Sequence, residues 1–261
     1  MPEAPPLDAG LVNFRDFGGC PTTTGGRVAS GRLFRSAHLS GLRTEAVSAL
    51  AGLGLGLIVD LRHEGERRRE PSRLPPGLDR RILTAPKDPG EQGEAPHVSA
   101  LARAIASGRP AREIMIESYR RSPFEEDRVA LFTAYFRRLA TLDGAVLIHC
   151  TAGKDRTGLL VALTQALLGV HRDDIFAEYL RSLDAFDALA ASLAGWLDAH
   201  GLGADAVDPA LLRPLIGVDR DYLEAAFAAI EAEHGSIDAY CRLRLGVDEA
   251  TAQGLRRRFH I

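Results

Sequence analysis

The sequence predicts an α/β fold, a sheet-bearing first part followed by a helical elaboration, on three observations. Apolar runs of strand length alternate with amphipathic helical stretches as far as Asp143-Gly144. Two of those runs, Leu55–Leu61 (LGLIVDL) and Val146-Leu147-Ile148, are continuously apolar, as buried strands are. Beyond Gly158 only helical patterns remain. No low-complexity linker and no internal repeat divides the chain. The expectation is therefore a loose tail over 1–10 and a single domain over 11–261, elaborated with helices after about residue 170.

In chain order, Leu11–Phe17 reads as a short strand closed by the turn signal Gly18-Gly19, and Arg32–Ala37 as another after the loop Thr22–Gly31. Thr44 is placed to cap a helix over Glu45–Leu53 that packs through Val47 and Leu50. The strand Leu55–Leu61 runs into Asp60-Leu61-Arg62. The Arg- and Pro-rich stretch Arg62–Arg81 reads mostly as loop with room for a short helix, before Arg80–Ala85 returns to the sheet. Lys87–Pro96 (KDPGEQGEAP) is loop by composition, and helices are expected over His97–Ala106 and Ala111–Arg121. Ser122-Pro123-Phe124-Glu125 has the form of a capping box with Pro at the first helical position. The helix it starts carries Val129, Phe132, Phe136 and Leu139 on one stripe.

After the strand at Val146 the chain turns through small residues into a helix near Arg156. Leu159, Leu160, Val161, Leu163, Leu167 and Leu168 make that helix apolar nearly all round, which predicts burial. Further helices are expected over Arg172–Ser182, Asp184–His200, Pro209–Ile216, Arg220–Glu233, Ile237–Leu245 and Glu249–Phe259, with glycines at their ends.

Composition narrows the function. A chain of 261 residues with net charge −3 presents no global basic field for nucleic acid or anionic membrane. The longest apolar stretches, around Gly52–Val59 and Gly158–Val170, fall short of the ~20 residues that a membrane span needs. MPEAPPLDAG lacks a basic-then-apolar signal pattern. Cys20, Cys150 and Cys241 are too widely spaced for a disulfide framework or a zinc site. A reducing, cytoplasmic setting is the expectation, with secretion by a route lacking a signal peptide left open.

The chemistry concentrates at the turn. Cys150 stands between the strand and the helix, with Arg156 six positions later and Gly153, Lys154 and Asp155 between them. A thiol is a nucleophile only as thiolate, and a helix N-terminus with nearby cations favours that form. The successive N–H groups of Thr151 to Arg156 are placed to wrap an anion, and Ala152 and Gly153 are small enough to allow it. Arg156 adds a planar fork for two phosphoryl oxygens. Thr157 can donate its hydroxyl to the sulfur when sulfur becomes the leaving group. Of the three cysteines only Cys150 has Arg at the sixth following position.

HCTAGKDRTG, His149 to Gly158, resembles the signature loop of cysteine-dependent protein tyrosine and dual-specificity phosphatases. Its Gly-Lys-Asp-Arg form is similar to that of the bacterial atypical tyrosine phosphatases, some of which also act on phosphoserine, phosphothreonine and phosphoinositides. Asn13-Phe14-Arg15-Asp16-Phe17-Gly18-Gly19, Leu33-Phe34-Arg35-Ser36-Ala37 and Asp60-Leu61-Arg62 fit the same family. The match covers most of Leu11–Gly169; the later helices fit as lid-like additions. The resemblance implies a mostly parallel twisted sheet flanked by helices, a phosphocysteine on Cys150, phosphotyrosine as substrate, and no metal or other cofactor. It also makes Asp155 the favoured proton donor. Asp88, on the Lys87–Pro96 loop, is the alternative, because many tyrosine phosphatases carry the acid on a separate loop.

Around this centre several residues admit plainer readings. His149 is expected to order the loop through hydrogen bonds rather than act as a base. Asp60, at the end of a neighbouring strand, is placed to orient Lys154 or Arg156. Lys154 reads as an attractor for phosphate or inositol phosphate. Arg15 and Asp16 read as an ion pair holding the first strand, and Arg35 and Ser36 as structural. The basic cluster Arg67-Arg68-Arg69 with Arg73, Arg80 and Arg81 reads as a solvated surface, with an acidic-substrate landing patch as its rival. Phe186, Leu189, Ala190, Leu193 and Leu197, beside Trp196, form a stripe suited to core or lid packing. A binding module that holds phosphoproteins without turnover, and sulfur transfer or arsenate reduction at the same loop, are the competing functions.

Overall fold

In a computed structural model of the chain, which describes residues 10–85, 96–199 and 209–261, the strand leading to Cys150 lies at the centre of the sheet. This strand, β5 (Ala145–His149), runs between β2 (Leu33–Ser36) and β3 (Leu55–Asp60) and parallel to both. Beyond β3 lies β4 (Ile82–Thr84), also parallel; beyond β2 lies β1 (Arg15–Asp16), the one antiparallel strand of the five. The register sets Ser36 and Asp60 on either side of His149, so three strands end level beside Cys150. Ligands of open parallel sheets bind at that edge.

The continuous apolar runs are explained by burial on both faces. Leu33, Leu57, Val59, Val146 and Ile148 belong to one core cluster, while Phe34, Ile58 and Leu147 point the opposite way into a second. Leu55 joins Ile58 despite its parity because the β3–β5 register shifts between Leu55 and Leu57. Gly56 makes the shift feasible: a Cβ there would stand 1.9 Å from the Asp143 carbonyl oxygen.

The second, smaller cluster is covered by α1 (Thr44–Gly52) through Ala46 and Leu50, with Leu11, Phe14 and Leu78. The larger is covered by the remaining long helices: α3 (Pro96–Ser107), α4 (Ala111–Arg121), α5 (Glu126–Leu139), α6 (Asp155–Leu167), α7 (Arg172–Leu180), α8 (Phe186–Ala199), α9 (Pro209–Ile216), α10 (Arg220–His234), α11 (Ile237–Leu243) and α12 (Glu249–Phe259). Helix α6 is buried almost all round, as its composition requires. The stripe on α8 packs inward: Leu193 and Leu197 are buried in the larger core, and Phe186, Leu189 and Ala190, partly buried, pack against that core. Among the described residues no helix is long and apolar enough to cross a membrane.

Three local expectations are corrected. The strand expected over Leu11–Phe17 shrinks to Arg15–Asp16, because Asn13 adopts φ +56°, outside extended geometry. Thr44 is the first helical residue, and Arg43 occupies the cap position without a side-chain bond. Ser122 does not cap α5 either. Its backbone continues the right-handed helical conformation of α4, with φ −48° and ψ −41°, whereas a cap needs extended geometry. Ser122–Phe124 form a 3₁₀ turn, and α5 starts at Glu126. The short helix for which Arg62–Arg81 had room is present as α2 (Glu64–Arg69), at whose start the Glu66 carboxylate accepts the His63 N–H at 2.8 Å. The tail over 1–9 and most of the Lys87–Pro96 loop, Asp88 included, lie outside the described residues.

Candidate active site

Strand β5 delivers Cys150 to the C-terminal edge of the sheet, and the chain turns for five residues before α6 begins at Asp155. The thiol is 2% exposed, and Gly153 N–H donates to its Sγ at 3.2 Å. Gly153 is required twice over: φ is +67°, and a Cβ would lie 2.3 Å from the Ser36 carbonyl oxygen. The first turn of α6 leaves its N–H groups without helical acceptors, so the positive end of the helix faces this turn. Thr157 Oγ1 and Arg156 Nε are buried without a protein partner.

Arg156 is held by a residue that the sequence did not single out. Glu66 of α2 takes both arms of the fork, Nη1 at 2.7 Å and Nη2 at 2.8 Å. Leu61 O accepts from Nη1 at 3.0 Å and Thr151 Oγ1 from Nη2 at 3.1 Å; the Thr151 hydroxyl also donates to Glu66. Burial opposes the Arg156 charge, but the Glu66 carboxylate outweighs it and raises the guanidinium above its usual value. Burial opposes the Glu66 charge too, and Arg156 holds that carboxyl well below the usual carboxylate range. The pair is the geometry of a strong, oriented ion pair.

Asp155 is framed by Lys154 and two tyrosines. Tyr119 of α4 donates to Asp155 Oδ1 at 2.8 Å, and Tyr179 of α7 is 2.7 Å from the Tyr119 oxygen. Burial first, and the nearby Asp155 charge second, raise both phenols well above their usual value, so both stay protonated donors. Lys154 is 1% exposed, and its ammonium is fully engaged. It donates to Leu215 O at 2.6 Å and Gly217 O at 3.0 Å, at the end of α9, and stands 3.2 Å from Asp155. The expected attraction of phosphate by this side chain is thereby corrected, because its three donors have partners. The Lys154 backbone N–H remains part of the loop.

Asp60 meets neither Lys154 nor Arg156. Arg62, two residues on, folds back and donates Nε and Nη2 to the Asp60 carboxylate at 2.9 and 2.7 Å. Burial would raise the Asp60 pKa, but His149 and Arg62 together lower it. His149 forms no hydrogen bond through either ring nitrogen, contrary to expectation; its closest charged neighbour is Asp60, 3.7 Å from Nε2. Burial drives the His149 pKa down to about 4 against the pull of Asp60, so the ring is neutral at pH 7. A value below that of the unfolded chain means that this contribution to stability is complete above pH 6.5 and is lost as pH falls towards 4. The expected result is a loss of about 3 kcal/mol over that window. Chemical denaturation of wild type and His149→Asn checks it; equal acid sensitivity of the two would contradict it.

The proposed ion pair between Arg15 and Asp16 does not form. Arg15 reaches Glu178 of α7 at 2.6 Å, and Asp16 accepts the N–H groups of Gly18 at 2.8 Å and Gly31 at 2.5 Å. In the basic cluster, Arg67, Arg73 and Arg81 cap the carbonyls of Arg62, Leu42 and Leu55, and Arg68 pairs with Glu64. Structural work therefore accounts for most of those cations. Among the described residues no group of three or more His, Cys, Asp and Glu side chains is arranged to hold a metal.

The model of the tyrosine phosphatase family matches residues 8–260, which takes in the sheet, the Cys150 loop and every helix after it. This chain belongs to the tyrosine phosphatase family. The phosphatase is 36% identical over 249 residues to a protein of Cupriavidus necator whose provisional name is tyrosine-protein phosphatase, covering 94% of this chain and 85% of that one. It is 34% identical over 273 aligned residues to the triple specificity protein phosphatase PtpB of Mycobacterium tuberculosis, covering 95% and 96%. A tyrosine-protein phosphatase of Nostoc commune is 35% identical over 133 residues, which is 49% of this chain and 43% of that one. The fold is the mixed α/β architecture with a mostly parallel sheet that the resemblance implied, and the phosphatase is an enzyme.

Glu66, Tyr119 and Tyr179, which support the Cys150 loop of this candidate site, and Glu178, which holds Arg15, are the residues that sequence reasoning missed. For Glu66 a signal existed: His63 and Glu66 are spaced as a helix start immediately after a strand that ends at the active edge. No comparable signal marks the tyrosines or Glu178.

Proposed function

We propose that this phosphatase hydrolyses phosphomonoesters of proteins through a phosphocysteine on Cys150. One observation carries the reading: Gly153 N–H meets the Cys150 sulfur at the N-terminus of α6, and the Arg156 fork is anchored from behind by Glu66. In the first step the thiolate attacks phosphorus and the S–P bond forms as the P–O bond to the leaving group breaks. Asp155 gives its proton to the departing oxygen. The loop N–H groups of Thr151 to Arg156 and the Arg156 guanidinium stabilise charge on the equatorial oxygens. In the second step Asp155 takes a proton from water, water attacks phosphorus, and the S–P bond breaks with Thr157 donating to the departing sulfur.

Phosphotyrosine is the proposed substrate, with phosphoserine, phosphothreonine and phosphoinositides as further ones. The triple specificity in the name of PtpB, matched over nearly the whole chain, supports a range wider than phosphotyrosine. The Lys154 side chain adds nothing to a phosphoinositide preference while it is bound to the end of α9.

Release of phosphate from p-nitrophenyl phosphate tests the reaction, with wild type and Cys150→Ser assayed in the presence of chelator. Turnover by wild type and its loss in Cys150→Ser are expected. Binding of phosphopeptide by wild type without turnover would instead favour a binding module, and chelator-sensitive turnover by Cys150→Ser would point to a metal enzyme. Parallel assays on phosphopeptides and phosphoinositides rank the substrates.

A further inference from the structure

We propose that Asn13 and Arg35, with Glu178 behind them, are positioning residues that aim the N–H groups of the Cys150 loop at the phosphoryl oxygens; the inference rests on the reading of that loop as the phosphate cradle. Three hydrogen bonds from outside the loop converge on two successive carbonyls. Asn13 Nδ2 donates to Ala152 O at 3.1 Å and to Gly153 O at 3.0 Å, and Arg35 Nη2 donates to Gly153 O at 2.6 Å. In a planar trans peptide the C=O and N–H point in opposite directions. Drawing those two carbonyls backward therefore turns the N–H groups of Gly153 and Lys154 forward. The first of them is seen doing so, at 3.2 Å from Cys150 Sγ.

The supports are held in ways that a purely space-filling role does not need. Among the described residues Asn13 is the only non-glycine at positive φ. That conformation disfavours most side chains, but Asn tolerates it. Here it carries the amide to the loop. Arg35 is wholly buried, and its Nη1 is 2.6 Å from Glu178 Oε2, while Arg15 Nε is 2.6 Å from Glu178 Oε1. Two guanidiniums thus share one carboxylate, an excess of one positive charge (2 − 1) under the loop. Burial, then the neighbouring Arg35, push the Arg15 pKa down to about 10, and Glu178 opposes both. A buried cation without full neutralisation is costly, and a phosphoryl group on the far side of the Gly153–Lys154 peptide offsets that cost. Glu178 lies on α7, so the helical part of the chain reaches the cradle through this cluster.

Asn13→Gly keeps the backbone conformation and removes the amide. Arg35→Met removes one donor and leaves Arg15 and Glu178 as a balanced pair. Tungstate, an oxyanion without a leaving group, is the probe, titrated by calorimetry well below each melting temperature and as a competitive inhibitor of p-nitrophenyl phosphate turnover. The expected result is tungstate affinity lower by about tenfold in each variant, with KM rising more than kcat falls. Should one variant fail to fold, the affinity of the other decides between the two roles. A purely structural role would lower the melting temperature and leave the affinity of the folded protein within about twofold of wild type; that result would overturn the proposal. Wild type that neither binds tungstate nor turns over substrate would overturn the phosphate-cradle reading, and the positioning role with it.

Discussion

Arg156→Lys is expected to lower kcat by about 10²–10³, because an ammonium cannot reproduce a planar cation whose Nη groups are held by the protein while its Nε is left free for developing phosphoryl charge. The structure makes the loss specific. Glu66 fixes the guanidinium plane from one side through both arms, and Leu61 O and Thr151 add to the alignment. Lysine would keep a charge near Glu66 and lose the plane. Steady-state kinetics on p-nitrophenyl phosphate checks this, and a kcat within about fivefold of wild type would remove Arg156 from the transition state. Glu66→Gln should show a smaller fall, since it loosens the fork without removing it.

The second large effect is expected at Asp155. Asp155→Asn should reduce kcat by about 10²–10⁴ on substrates with poor leaving groups, the range ascribed to general acid catalysis. The fall should be smaller for p-nitrophenyl phosphate, whose leaving group needs a proton less. A general acid works while protonated, so its contribution is lost as pH rises; the alkaline limb of the pH–rate profile should flatten in the variant. Tyr119 and Lys154 already occupy the Asp155 carboxylate from the protein side, which holds it in one orientation beside the loop. An unaltered alkaline limb would transfer the acid role elsewhere, with Asp88 as the next residue to replace.

What the sequence made legible follows from distance along the chain. Val146 to Gly158 could be read as strand, loop and helix because all of its determinants are consecutive residues. The apolar character of β3, β5 and α6 reports burial directly, since burial is decided by each residue's own side chain. The alternation that places Phe34, Ile58 and Leu147 on one face and Leu33, Val59 and Ile148 on the other follows from the same period. The supports of the loop were hidden because each is a pairing across the fold. Glu66 and Arg156 are 90 residues apart, Arg35 and Gly153 118, and Tyr119 and Asp155 36. A charged residue on a polar helix, such as Glu66 within EGERRR, gives no sign of which distant cation it will meet. Asp60 failed in the opposite sense. A local partner, Arg62, captured it before the loop could. Ser122 shows the same limit for caps: the sequence of a capping box is present, but the preceding helix fixes the backbone in the wrong conformation.

The central claim is a covalent phosphocysteine on Cys150, and trapping it is the most direct measurement. Asp155→Asn, mixed with substrate and quenched in acid within one turnover, should yield a peptide containing Cys150 that carries one phosphoryl group on sulfur, detected by mass spectrometry; Cys150→Ser should yield none. Product formed in that first turnover with Cys150 unmodified, or with the phosphoryl group on another residue, would contradict the account.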